Sequence, residues 1–139
     1  MTSDAVVNNP LIYAMIAHIG IVIFLYIALT IVRAPSVWGI GLRPDGANPL
    51  LRYESRVSAN LSNQFEWPVL FYVGCLLALG ADAPAPSSAV TLAWIFVVGR
   101  VIHSVVQIGS ANVRLRGVVF TVNFLAVIGL WAVLLLGSL

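Results

Sequence analysis

Residues 56–81 read RVSANLSNQFEWPVLFYVGCLLALGA, and their two halves differ sharply. The second half, 67–81, is strongly apolar but has only 15 residues. A helix that crosses a bilayer needs ~20 mostly apolar residues. The first half is polar, with Arg56, Ser58, Asn60, Ser62, Asn63, Gln64 and Glu66. Taken together the halves are long enough to span as one helix, polar at one end.

The flanking chain repeats that economy. Residues 11–32 are apolar except for His18, with Pro10 suited to a first helical turn, where its missing N–H costs nothing. Residues 34–54 form a loop punctuated by Pro35, Gly39, Gly41, Pro44, Gly46 and Pro49. At 21 residues it is long for a compact domain, which hints at function. Asp82, Pro84 and Pro86 make a turn, and residues 89–99 are apolar until Arg100, His103 and Gln107 appear. A last apolar span, 117–136, is broken only by Thr121 and Asn123. The expected fold is therefore an all-α integral-membrane domain, a four-transmembrane-helix bundle with helices over about 10–33, 56–81, 87–109 and 115–137.

Composition agrees. Of 139 residues, 60% are apolar and 9% charged, against roughly 25% charged in soluble domains. An ordinary soluble domain, a disordered chain, a second soluble domain and a nucleic-acid binder are excluded. Seven arginines, no lysine and five acids leave +2, so the isoelectric point near 9.1 reflects scarcity of charge, not a basic patch. Residues 1–9 hold no basic residue, and no cleavable signal peptide is expected there. Cys75, alone, cannot form an intramolecular disulfide and reads as a small buried hydrophobe.

Arginine placement sets the topology. Arg33, Arg43, Arg52 and Arg56 surround the first loop, and Arg114 and Arg116 the third. The opposite side offers Asp4 and Asp82 and no cation. The positive-inside rule puts loops one and three in the cytoplasm and both termini outside. Absent lysines and alanine- and valine-rich helices suggest a GC-rich, bacterial source, hence the inner membrane.

This topology brings two polar stripes to one depth. At ~100° per residue, Arg56, Asn60, Asn63 and Glu66 share an arc of roughly 120° on an unbroken helix, and Arg100, His103 and Gln107 one of roughly 60°. Charges at mid-membrane cost ~2.5–3.5 kcal/mol each unless they are paired or face a bundle interior. Two readings follow. Glu66 and Arg100 form a structural pair, with asparagines as interhelical glue. Alternatively, the stripes line a pocket for an anionic, peptide-like molecule. No metal site is expected: His18 has no ligand partner at i+3 or i+4. His18 reads as a satisfied bundle residue, Arg114 as a topology anchor, and Gly74 with Ala78 as a helix-packing pair.

The segment from Arg56 through Asn60, Asn63 and Glu66 to Pro68 resembles the second-helix signature of the MAPEG family, the membrane-associated proteins in eicosanoid and glutathione metabolism. Gly99-Arg100-Val-Ile-His103 resembles that family's third-helix motif, and Leu115-Arg116-Gly117-Val-Val-Phe120 the start of its fourth helix. The resemblance implies a homotrimer binding glutathione between subunits near the cytoplasmic face. Asn63 and Glu66 would hold the glutathione amine and amide groups, with Arg100 and His103 in the same site. Arg56, Asn60 and Gln107, from the same stripes, would line it, and Arg33 would reach in from the neighbouring subunit. Arg116 would be the catalytic residue near the thiol, since a nearby cation lowers a thiol pKa and the thiolate is the nucleophile. The implied activity is a glutathione-dependent transferase or peroxidase acting on a lipophilic electrophile or lipid hydroperoxide, with glutathione as co-substrate. The alternative is a non-catalytic bundle with a structural or lipid-binding role. Four positions depart from the family pattern: Ser62 replaces an arginine, Gln107 and Phe120 replace tyrosines, and Gly117 replaces a serine. Prostaglandin synthesis is not expected.

Overall fold

The computed structural model describes residues 9–81 and 84–137. Asp4, Asp82 and the rest of residues 1–8 lie outside the described residues. The described chain is all-helical: α1 (Pro10–Trp38), α2 (Leu51–Ser62), α3 (Pro68–Gly80), α4 (Ser87–Gly109) and α5 (Val113–Gly137). Three of these, α1, α4 and α5, are long and apolar enough to cross a membrane, with mean hydropathies of 2.5, 1.9 and 2.5. Helix α3 is apolar but has only 13 residues.

The expected single helix over 56–81 is two helices with a turn at 63–67. Pro68 is the cause. It has no N–H to give the Gln64 carbonyl, and its ring crowds that carbonyl in a continuous helix. The backbone tightens instead: Gln64 bonds Leu61, Phe65 bonds Ser62, Val69 bonds Glu66 and Leu70 bonds Trp67, all at i→i−3 spacing. Pro68 then occupies the first turn of α3, where proline is tolerated. The polar run also begins earlier than expected, at Leu51.

Helix α1 likewise runs past Arg33 and through Pro35 to Trp38. It ends where Gly39 takes φ +69° and returns its N–H to the Pro35 carbonyl. That left-handed turn suits glycine. At the other end the Asn9 side chain accepts from Leu11 N at 3.0 Å and caps the helix. Asn112 does the same for α5, accepting from Leu115 N at 3.1 Å.

Two apolar clusters fix the up-and-down packing. At one end Leu11 and Ala14 meet Phe71, Cys75 and Ala78 of α3, Ala89, Ala93 and Phe96 of α4, and Ala126, Val127 and Leu130 of α5. At the other end Leu25 and Leu29 of α1 meet Val57 and Leu61 of α2, with Ile108 of α4 against them. The starts of α1 and α4 therefore lie with the end of α5, and the arginine-flanked loops lie at the opposite end. A Cβ on Gly74 would stand 3.1 Å from Leu130, so α3 and α5 pack closely there. The Trp131 indole donates to the Leu70 carbonyl across the same seam, at 3.1 Å.

Candidate functional site

Between the apolar clusters lies a buried polar network on α1, α2 and α4. Its centre is Gln64, in the turn that follows α2 and one helical turn on from Asn60. The Gln64 Oε1 accepts from Arg100 Nε at 3.0 Å and faces His18 Nε2 at 3.1 Å. Facing an obligate donor, that atom must be the oxygen, so the His18 Nε2 carries the proton. His18 Nδ1 then accepts from the Tyr72 hydroxyl at 2.7 Å. The Gln64 amide nitrogen donates to Asn60 Oδ1 and to the Asn60 carbonyl.

The network continues toward the arginine-rich end. Asn60 Oδ1 also accepts from Ser104 Oγ at 3.0 Å. Asn60 Nδ2 and Asn63 Nδ2 both donate to Gln107 Oε1, at 3.0 and 3.2 Å. Arg56 Nη1 donates to the Ile108 carbonyl in the last turn of α4, complementing a helix C-terminus.

Arg100 is wholly enclosed. Besides Gln64 it reaches the Asn63 carbonyl, Nη2 to O at 3.0 Å. That carbonyl is available because the turn before Pro68 interrupts the i→i−4 ladder. Its remaining nitrogen, Nη1, has no partner among the described residues.

Glu66 stands elsewhere. It lies on the exposed surface, because the inward face of this segment is set by Val57, Asn60, Leu61 and Gln64 at i, i+3, i+4 and i+7, and helical phase puts Glu66 on the far side of that face. Among the described residues it forms no ion pair with Arg100; the one ion pair there joins Arg33 Nε to Glu54 Oε1 at 3.2 Å. The glutamine two positions earlier takes the inward place.

Above the network a cleft of about 210 Å³ opens between α2, the end of α4 and the start of α5. Arg56 and Arg116 face it, with Ser55, Gln107, Ser110 and Asn112 among its other walls. Two guanidinium groups and the N-terminus of a long helix make it suitable for an anion. Ser55 also borders a second recess, of about 550 Å³, lined by Arg33, Arg52, Glu54 and Ser58. Arg33 thus lies across α2 from the cleft, tied to Glu54 and Ser58 of its own chain. His103 is buried on the α5 side of α4, its ring 6.2 Å from that of Phe120.

The structure thus brings Arg56, Asn60, Asn63, Arg100 and Gln107 into one assembly below and beside Arg116. Arg33 and Glu66 remain outside it within a single chain. Gln64, Ser104 and Tyr72 belong to it without a motif to mark them; the signal for Gln64 is its i+4 spacing from Asn60 and i+7 spacing from Val57.

Apolar spanning helices around a buried polar network, with a cationic cleft at one end, define an integral membrane protein. The chain belongs to the MAPEG family, whose model matches residues 11–136. No curated protein and no solved structure matches it significantly.

Proposed function

We propose that the protein is a glutathione-dependent transferase or peroxidase of the membrane, working on a lipophilic electrophile or a lipid hydroperoxide. The observation that carries this reading is the cleft bearing Arg56 and Arg116 directly above the buried Arg100 network, in a chain of the MAPEG family. Glutathione is an anionic tripeptide, and guanidinium forks suit its carboxylates. Arg116, at the open mouth, is placed to stabilise the thiolate. In transfer, the thiolate sulfur forms a bond to the electrophilic carbon and the leaving group departs with its electron pair. In peroxide reduction, two glutathiones give their disulfide while the hydroperoxide becomes an alcohol and water.

In this reading the protein is a homotrimer in a bacterial inner membrane, with the arginine-rich loops cytoplasmic and the termini outside. Glu66, exposed on one chain, is free to meet the ligand's amine, and Arg33 to act in a neighbour's site. The catalytic role falls to Arg116. Arg56, Asn60, Asn63, Arg100, His103 and Gln107 bind or shape the glutathione site, and no metal takes part.

A second reading is a non-catalytic bundle with a structural or lipid-binding role. What favours it is the mutual satisfaction of Asn60, Asn63 and Gln107, which leaves Gln107 Oε1 committed inside the protein. One experiment separates the two. The purified protein is melted in detergent with and without millimolar glutathione or S-hexylglutathione, then assayed with 1-chloro-2,4-dinitrobenzene and cumene hydroperoxide. Saturation at 100 times the dissociation constant adds ~2.7 kcal/mol. A shift lost in Arg116→Ala or Arg100→Ala, with turnover, supports the enzyme. No shift and no turnover supports the second reading.

A further inference from the structure

Helix α1 outruns α4. It has 29 residues to the 23 of α4, and their starts pack together through Leu11, Ala14, Ala89 and Ala93. The surplus therefore falls at the arginine-rich end, where residues 33–38 stand past the last turn of α4. At 1.5 Å per residue they project about 9 Å. Helix α4, about 34 Å long, already crosses the ~30 Å hydrocarbon layer, and headgroups add roughly 5–7 Å on each side. The end of α1 accordingly lies at headgroup level.

Large apolar side chains stand open at this level. Trp38, Ile40 and Leu51 are 73%, 68% and 62% exposed, and tryptophan favours the boundary between hydrocarbon and water. Gly39 turns the chain out of α1. Asn48 brings it back: its amide nitrogen donates to Ser36 Oγ at 2.6 Å, and its side-chain oxygen accepts from Leu50 N at 2.8 Å. Helix α2 thus starts beside the projecting end of α1.

The 550 Å³ recess lies here, and its charged walls differ in how far they are committed. Arg33 Nε is paired with Glu54 Oε1, and Glu54 Oε2 accepts from the Ser36 hydroxyl. Both oxygens of that carboxylate are thereby engaged. Arg52 has no acidic partner among the described residues. Its guanidinium lies over the Tyr53 ring, 4.6 Å from the centroid, and Nη2 donates to the Tyr53 hydroxyl. The other two nitrogens of the fork are left to donate outward. The Ser58 hydroxyl accepts from Arg33 Nη2 and keeps its own hydrogen to give. Two guanidinium groups against one carboxylate leave a single positive charge, the complement of a phosphodiester. Leu51 makes the remaining wall apolar, which suits an anion that carries hydrocarbon and not a freely soluble one.

We propose that this recess holds the phosphodiester of an anionic phospholipid, with Arg52 as its main donor, Ser58 as a second and Leu51 against the start of an acyl chain. Arginine forks match phosphate oxygens in pairs, and basic recesses at the headgroup boundary are where acidic lipids are recognised. The proposal does not rest on the glutathione reading. The recess lies across α2 from the cleft and shares with it Ser55, while Arg56 and Arg116 line the cleft alone.

The test uses the full-length protein, stripped of lipid in a non-ionic detergent, and the variants Arg52→Gln, Arg52→Glu and Arg114→Gln. Arg52 is exposed, and lipid-free melting temperatures check that each variant folds. Arg114 lies outside the recess and controls for the loss of one surface cation. Phosphatidylglycerol or phosphatidylcholine is titrated in, and bound lipid is counted by native mass spectrometry. Wild type is expected to take one phosphatidylglycerol per chain in preference to phosphatidylcholine, with an affinity that falls as salt rises. Arg52→Gln is expected to bind it about tenfold more weakly, Arg52→Glu to lose the preference altogether, and Arg114→Gln to match wild type. Equal binding of the two lipids by wild type overturns the proposal, as do equal losses in Arg52→Gln and Arg114→Gln. Displacement of the bound lipid by millimolar inorganic phosphate or glutathione also overturns it, since the recess would then be a site for soluble anions.

Discussion

The guanidinium of Arg100 is held at its Nε by the side-chain oxygen of Gln64, 3.0 Å away, and not by the carboxylate of Glu66. A buried cation is thereby fixed by a neutral amide that also bonds His18 and Asn60. Removing the shared acceptor leaves a buried charged donor without one of its hydrogen-bond partners. Gln64→Leu is expected to lower unfolding stability in detergent by about 1.5–3 kcal/mol. Gln64→Glu retains the acceptor and adds a counter-charge but gives up the two amide N–H bonds to Asn60, so it is expected to restore only part of the loss. A wild-type melting temperature for Gln64→Leu would show that Arg100 is held by something else.

Pro68 creates the acceptor that completes this arrangement. Pro68→Ala lets the helix run on, and the Asn63 carbonyl returns to its own i+4 N–H. The regained ladder bond and the lost charged bond to Arg100 are of similar size, about 1–3 kcal/mol each. Global stability is therefore expected to change little, while the response to glutathione falls because Arg100 is no longer set in place. Equal glutathione affinity in the two proteins would contradict this account.

Much of this was readable from residue types alone, and the remainder was not, for a definable reason. Apolar length marks α1, α4 and α5, because a bilayer demands it. The i, i+3, i+7 spacing of Arg100, His103 and Gln107 put them on one face, and all three are buried on α4. Glu66 shares an arc with Arg56 and Asn63, but the buried face is centred on Val57, Asn60, Leu61 and Gln64, which leaves Glu66 on its far side. Helix α1 runs past the end that Arg33 and Pro35 suggest, because Pro35 sits one turn from the C-terminus, where helix can still tolerate it until Gly39 turns away. Asn123 looked like a mere interruption of an apolar span, since nothing in its neighbours signals that it lies over Gly99.

Arg33 and Glu54 illustrate the opposite energetic regime. Their side chains are 45% and 23% exposed, and an exposed pair contributes about 0–1 kcal/mol. Glu54→Gln is expected to leave the melting temperature nearly unchanged and to weaken further in effect at high salt. If Arg33 serves a neighbouring site, Arg33→Ala lowers glutathione affinity with the same small effect on stability. Loss of stability comparable to Gln64→Leu would assign Arg33 a structural role.

Arg116 is expected to act on ionisation, not on folding, because it stands exposed at the mouth of the cleft. A cation beside a thiol favours the thiolate. With Arg116 present, the conjugation rate is expected to be flat through neutral pH. In Arg116→Ala it is expected to be far lower near pH 7 and to rise as pH approaches the thiol's ordinary range, with Arg116→Lys intermediate. A uniform fall at every pH would mean that the arginine positions substrate and does not stabilise charge.

The close packing of α4 against α5 at Gly99 gives a prediction about shape. Gly99 has no side chain where the Asn123 amide lies, and an added Cβ would meet the Oδ1 and Cγ of that amide. Asn123 is fully enclosed, so it has little room to yield. Overpacking of this kind costs about 1–3 kcal/mol. Gly99→Ala is expected to destabilise by that amount and to disturb Arg100, its immediate neighbour. Shrinking the opposing residue should relieve the clash. In a double-mutant cycle, Gly99→Ala combined with Asn123→Ala is therefore expected to be more stable than Gly99→Ala alone, with a coupling of about 1 kcal/mol or more. Strict additivity would mean that the two residues do not constrain one another, and that the helices separate there at little cost.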